Sequence, residues 1–171
     1  MINKDKIAVI GAGIIGLAIA YKLSLQNKKV IVFEKESNEG MHQSGRNSGV
    51  LHCGLYYKPG SLKAQLSVKG IREMIAFAKS NNIPHDVCGK VVVATSEKEE
   101  KSLGILAERG EKNGLKGLKY LSSEELKKRE PFVRSKKALL VPEEGIIDYK
   151  SVMRKLVEKI KENGGSIYYS C

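Results

Sequence analysis

Three features of the chain predict an α/β fold. Lys6-Ile7-Ala8-Val9-Ile10 reads as a buried-type strand and runs straight into Gly11-Ala12-Gly13-Ile14-Ile15-Gly16, glycines at the spacing of a phosphate-cradling turn that opens a helix. A second apolar run, Val30-Ile31-Val32-Phe33, ends in Glu34, about twenty residues after the glycines, where a carboxylate can accept hydrogen bonds from a ribose 2′-hydroxyl. Much later, an amphipathic helix leads through Gly164-Gly165 into Ser166-Ile167-Tyr168-Tyr169, which resembles a return to the same sheet. Together these describe a Rossmann-like, dinucleotide-binding βαβ opening.

Within that opening each residue has a physical task. Gly11 allows the tight turn, Gly13 lets the main chain approach a pyrophosphate and Gly16 permits close packing of the helix, whose first amides, around Ile14 and Ile15, sit at its positive dipole end. The helix ends near Asn27. The plainer reading, an ordinary strand-to-helix turn, leaves Gly13 and the placement of Glu34 as coincidences. An acid at Glu34 favours NAD or FAD over NADP, because it would repel a 2′-phosphate, although Lys35 beside it blurs that exclusion.

A polar loop from Ser37 to Gly60 follows, longer than an ordinary connection. Leu62 to about Ser80 reads as a helix with Leu62, Leu66, Ile71, Met74, Ile75 and Ala78 near one face, stopped by Asn81-Asn82 before Pro84. Gly89 to Thr95 is a strand pattern, and Ser96 with Glu99 forms a capping box for the next helix. Ser122 and Glu125 repeat that signature in a short helix that must finish near Glu130, because Pro131 lacks an amide hydrogen. Ala138 to Val141 is a further strand, and a helix from Asp148 to Glu162 buries Val152, Leu156, Val157 and Ile160. Residues 1–85 are therefore read as the first part of a nucleotide-binding domain, 86–147 as part of an inserted α+β substrate domain, and 148–171 as the return.

At 171 residues the chain could bury its own core, yet the parallel sheet it implies is incomplete, as expected for the front portion of a larger protein. The 30 Lys plus Arg against 19 Asp plus Glu give a net charge of +11, but the lysines scatter over helix faces such as Lys127-Lys128-Arg129, with no aromatic-interleaved stripe. No nucleic-acid partner is expected. Cys53, Cys88 and Cys171 stand at no zinc or redox spacing, and His85 with Cys88 lacks a partner pair, so no metal is expected and a reducing compartment fits. The start Met1-Ile2-Asn3-Lys4-Asp5 has no signal-peptide pattern, and no apolar stretch is long enough for a span. The expectation is a cytoplasmic protein, any membrane association being peripheral.

The loop His42-Gln43-Ser44-Gly45-Arg46-Asn47-Ser48-Gly49-Val50-Leu51-His52-Cys53-Gly54-Leu55-Tyr56-Tyr57 carries the chemistry. Its small residues and hydroxyls allow close approach to phosphates and a ring system; Arg46 could bind an anion with two parallel hydrogen bonds, and His52 could move a proton near neutral pH. On residue types alone, a surface ion pair for Arg46 and a satisfied hydrogen bond for His52 explain the loop equally well.

With the glycine opening and Glu34-Lys35, this loop, Lys58-Pro59-Gly60-Ser61-Leu62-Lys63-Ala64, Cys88-Gly89-Lys90, Glu130-Pro131 and Gly145-Ile146-Ile147-Asp148-Tyr149 resemble the L-2-hydroxyglutarate oxidase or dehydrogenase family. That family belongs to the D-amino-acid-oxidase superfamily of flavoenzymes. The resemblance covers nearly the whole chain but only the front of the family's usual length. It implies a glutathione-reductase-type FAD-binding domain and oxidation of a 2-hydroxy acid, L-2-hydroxyglutarate, to 2-oxoglutarate, with hydride passing to flavin N5 and electrons leaving to a quinone or oxygen. It also implies that Gly11, Gly13, Ile14, Ile15, Gly16 and Glu34 hold the ADP part of FAD with Lys35 beside it, and that Gln43, Ser44, Gly45, Asn47 and Ser48 line its pyrophosphate, ribityl or flavin side. His52 is the first candidate for proton handling, with Arg46, Tyr56 and Tyr57 behind it. Three alternatives stay open: a non-catalytic or split FAD-binding module that needs a second chain or the missing C-terminal half, a relative acting on glycerol 3-phosphate or an amino acid, and an NAD-dependent dehydrogenase, which leaves the His42 to Tyr57 loop unexplained.

Overall fold

The computed structural model describes residues 6–171; Met1 to Asp5, where a targeting signal was sought, lies outside the described residues. Along the chain run β1 (Lys6–Ile10), α1 (Ile14–Ser24), β2 (Lys29–Phe33), a 3-10 turn (Gln43–Gly45), β3 (Val50–Leu51), α2 (Leu62–Ser80), β4 (His85–Asp86) and β5 (Lys90–Ala94). Then come α3 (Glu97–Lys112), β6 (Lys119–Leu121), α4 (Ser123–Arg129), β7 (Lys137–Val141), β8 (Gly145–Ile147), α5 (Tyr149–Glu162) and β9 (Ser166–Tyr168).

The chain divides into two compact units, the first comprising residues up to Gly49, Asn81–Pro84 and Asp148–Cys171, the second Val50–Ser80 and His85–Ile147. The break therefore falls after Gly49 and not at residue 85. Two contacts carry residues 50–80 into the second unit: β3 pairs with β8, and the Asn113 side chain, at the end of α3, donates to the carbonyls of Gly54 and Tyr57.

In the first unit β1, β2 and β9 form a parallel sheet in that order, with Ile10 opposite Phe33 and Phe33 opposite Tyr168. Val30 and Val32 of β2 are fully buried, and α1 packs against α5. The five apolar residues that α5 buries, Val152, Met153, Leu156, Val157 and Ile160, recur at helical spacing. Asp148 caps this helix by accepting from the amides of Lys150 and Ser151 and from the Ser151 hydroxyl. The double glycine after it has a steric cause. A Cβ at Gly165 would lie 2.6 Å from the Ile160 side chain and 2.9 Å from its carbonyl oxygen, so no larger residue lets β9 follow so closely.

The second unit holds two small antiparallel sheets, β3-β8-β4 and β5-β7-β6. Leu121, Leu126 and Ala138 form a core cluster extended by Val91, Val133 and Leu140. Both capping boxes form, Ser96 with Glu99 and Ser122 with Glu125. The buried face of α2 corrects the sequence reading. It comprises Ala64, Val68, Ile71 and Ala78, while Leu62 and Leu66 are 69% and 61% exposed. At about 100° per residue the two leucines lie on the far side of the helix from Val68 and Ile71.

Candidate functional site

The first unit builds a cradle from the β1–α1 turn. Gly11 has φ +96° with open space around a hypothetical Cβ, so its glycine is demanded by backbone conformation. Gly16 is demanded by space, since a Cβ there would lie 2.0 Å from the Gly11 carbonyl oxygen. Gly13 is the N-cap of α1 and brings no side chain of its own to the helix amides. Instead the Ser44 hydroxyl, from the loop after β2, accepts from the Ile14 amide at 3.0 Å and would stand 3.2 Å from a Gly13 Cβ. The helix N-terminus, Gly13 and Ser44 therefore meet at one point, a donor-rich position suited to an anion.

Glu34 ends β2 nearly buried, at 8% exposure. Its Oε2 accepts from the Ala12 amide at 2.6 Å and its Oε1 from the Glu36 amide at 2.9 Å. Burial by itself would raise its pKa, but the two amide bonds outweigh burial and hold the carboxyl below the ordinary carboxylate value. The same carboxylate thus pins the glycine turn, and each oxygen keeps lone-pair capacity for a hydroxyl. Lys35 is exposed and pairs with Glu36, which also binds His42 at 2.7 Å.

Glu34, Gly11, Gly13 and Ser44 share a cavity of about 520 Å³ whose apolar wall includes Ile10, Phe33 and Met41, with Cys171 at its edge. That combination of an apolar slot, a buried carboxylate and a glycine-lined anion position fits the adenosine diphosphate half of FAD. Gly45 faces Gly40, whose carbonyl oxygen would be 2.2 Å from a Gly45 Cβ. Asn47 donates to the carbonyls of Gln43 and Ser44 and accepts from the Gly49 amide, so it shapes the loop, while Gln43 and Ser48 are exposed. Arg46 lines a second cavity of about 400 Å³ with Gly40, Gly45, Lys150 and Arg154.

The second unit holds the remaining candidates. Tyr56 lies under the Lys90 ammonium, 4.8 Å from the ring centroid, and Tyr57 under Lys63 at 4.4 Å. Their backbone is tied down as well: Arg109 donates to the Tyr56 carbonyl, and Asn113 donates to those of Gly54 and Tyr57. His52 is 63% exposed and its Nδ1 lies 4.0 Å from Oε2 of Glu144. Sequence reading missed Glu144, which is 1% exposed, pairs with Lys90 and accepts from both the amide and the thiol of Cys53. Burial, reinforced by this carboxylate, pushes the Cys53 thiol up to about 12, so the sulfur stays a protonated donor. In the sequence Glu143-Glu144-Gly145 looks like a polar turn, and nothing local marks the second glutamate as buried.

Among the described residues no helix is long and apolar enough to cross a membrane. Residues 6–171 match the family model described as FAD dependent oxidoreductase. An L-2-hydroxyglutarate dehydrogenase from Indibacter alkaliphilus is 46% identical over 165 residues, covering 95% of this chain and 41% of that protein. The mitochondrial L-2-hydroxyglutarate dehydrogenase of Homo sapiens is 40% identical, covering 94% of this chain and 35% of that one. Among solved structures, an L-alpha-glycerophosphate oxidase from Mycoplasma pneumoniae with FAD bound superposes with a TM-score of 0.89 at 29% identity, covering 97% of this chain and 44% of that one. A glycine oxidase from Geobacillus kaustophilus, at 23% identity and a TM-score of 0.86 over 97% of this chain and 46% of that one, shares the fold. The chain thus spans well under half the length of the relatives it matches, and it belongs to the FAD-dependent oxidoreductase family.

Proposed function

We propose that this chain is the cofactor-binding front, with part of the substrate side, of an enzyme that oxidises L-2-hydroxyglutarate to 2-oxoglutarate. The observation that carries the reading is the identity of 40–46% to proteins named for that substrate across nearly the whole chain. Bound FAD supplies the hydride acceptor, its N5. Gly11, Gly13, Ile14, Ile15, Gly16 and Glu34 hold its ADP part with Lys35 alongside, and Gln43, Ser44, Gly45, Asn47 and Ser48 serve its pyrophosphate, ribityl or flavin side. His52 takes the hydroxyl proton as the hydride leaves the same carbon, so the alcohol becomes a ketone. Arg46, Tyr56 and Tyr57 serve the dicarboxylate substrate. Electrons then leave to a quinone or to oxygen, and the site of action is the cytoplasm or the inner membrane face.

A second reading, a FAD-binding module that acts only with further polypeptide, draws support from β1, which among the described residues pairs with β2 alone and buries none of its side chains. One spectrum tests both. The purified chain, incubated with FAD and freed of excess, should retain the oxidised-flavin bands and lose them anaerobically on addition of L-2-hydroxyglutarate. Retained flavin that this substrate does not bleach favours the second reading, and a colourless protein argues against a self-sufficient cofactor site.

A further inference from the structure

We propose that Glu144 is a positioning residue for His52, with Lys90 paired to the same carboxylate. The inference rests on the proton-handling role given to His52 above and deepens it. Its basis is a convergence inside the second unit. The Cys53 amide and thiol donate to Oε1 of Glu144 at 3.3 and 3.2 Å, Lys90 pairs with Oε2, and His52 Nδ1 approaches Oε2 to 4.0 Å.

A carboxylate this deeply buried is costly unless it is paired, and a structural ion pair would need only Lys90. Glu144 does more. By binding the amide of Cys53 it fixes the peptide that joins residues 52 and 53, and with it the direction in which His52 leaves the backbone. Oε2 is engaged by the Lys90 ammonium and accepts no other hydrogen bond among the described residues, so its remaining lone pair is available to the imidazole. A negative charge 4.0 Å from Nδ1 favours the tautomer with its hydrogen on Nδ1, leaving the Nε2 lone pair as the proton acceptor. The protonated Cys53 thiol is a donor to Glu144 and does not compete for the proton. Lys90 also lies over the Tyr56 ring, so the same ion pair ties a second candidate residue to this carboxylate.

The test uses the full-length, FAD-loaded protein, with flavin content checked by absorbance. Glu144→Gln keeps the shape and removes the charge. It should lower kcat on L-2-hydroxyglutarate by about tenfold or more, leave KM within about twofold, and move the ring ¹⁵N signals of His52 toward a tautomer mixture. Glu144→Asp, which restores the charge, should recover most of that turnover. Unmoved ring signals together with wild-type turnover in Glu144→Gln would overturn the proposal. If Glu144→Gln fails to hold flavin, Lys90→Gln takes its place: with the competing ammonium gone, the His52 signals should move further toward the Nδ1-protonated form, and signals that stay put would count against Glu144. Failure of the parent reading looks different. There, His52→Ala keeps wild-type turnover while Glu144→Gln still moves the ring signals; when His52→Ala abolishes turnover and Glu144→Gln changes nothing, only the role of Glu144 falls.

Discussion

Glu34 holds the glycine turn in place and, in the function proposed above, meets the ligand with the same carboxylate. Because amides of Ala12 and Glu36 bind its carboxylate, its folded-state pKa lies below the unfolded value, and the unfolded chain takes up the proton first as pH falls. Its stabilising contribution is complete above the ordinary carboxylate range and is lost as pH falls through the depressed folded value. Glu34→Gln should therefore flatten the acid side of a plot of urea midpoint against pH, which equilibrium unfolding at several pH values measures. The same variant should weaken FAD binding by roughly tenfold or more, since a hydrogen bond to a charged group contributes about 1.5–3 kcal/mol, and a flavin titration reads that loss. The position of Glu34 beside the glycine turn was legible in the sequence because it depends on a short spacing from the glycines. Glu144 was not, because the residues that make it special come from far along the chain: Cys53 is 91 positions away.

Among the elements, those with local signals were the ones the sequence disclosed. Each capping box binds groups three residues apart, and the buried face of α5 follows a strong 3.6-residue period, so both could be read without the fold. The strands β3, β4 and β8, of two or three residues, are too short to show a period and exist only because a distant partner completes them. In α2 the signal misled. Large apolar residues occur around much of the helix, and the face that is buried is the one with small residues, Ala64 and Ala78, beside Val68 and Ile71. The expected consequence is asymmetric: Ile71→Ala should cost about 2–5 kcal/mol, whereas Leu66→Gln should stay within about 0.5 kcal/mol. Chemical denaturation of the two variants side by side checks it, and equal losses would restore the leucine face.

Across the whole molecule the chain crosses between its two units more than once. The first unit is assembled from residues up to Gly49, Asn81–Pro84 and Asp148 onward, so it cannot be finished until α5 and β9 have been made. Sequence reading found that return through the double glycine but set the outward crossing too late, because the pairing of β3 with β8 has no local trace. The placement of the thiols has a practical result. Cys53 is buried and protonated, Cys88 is exposed, and Cys171 is exposed at the edge of the Glu34 cavity. The protein thus carries its own pair of chemical sensors: a maleimide should label Cys88 at the same rate with or without FAD, while saturating FAD shields Cys171. Peptide mapping of the labelled thiols would then report cofactor occupancy without any optical signal from the flavin, and equal labelling of Cys171 in both states would mean that the adenosine end sits elsewhere.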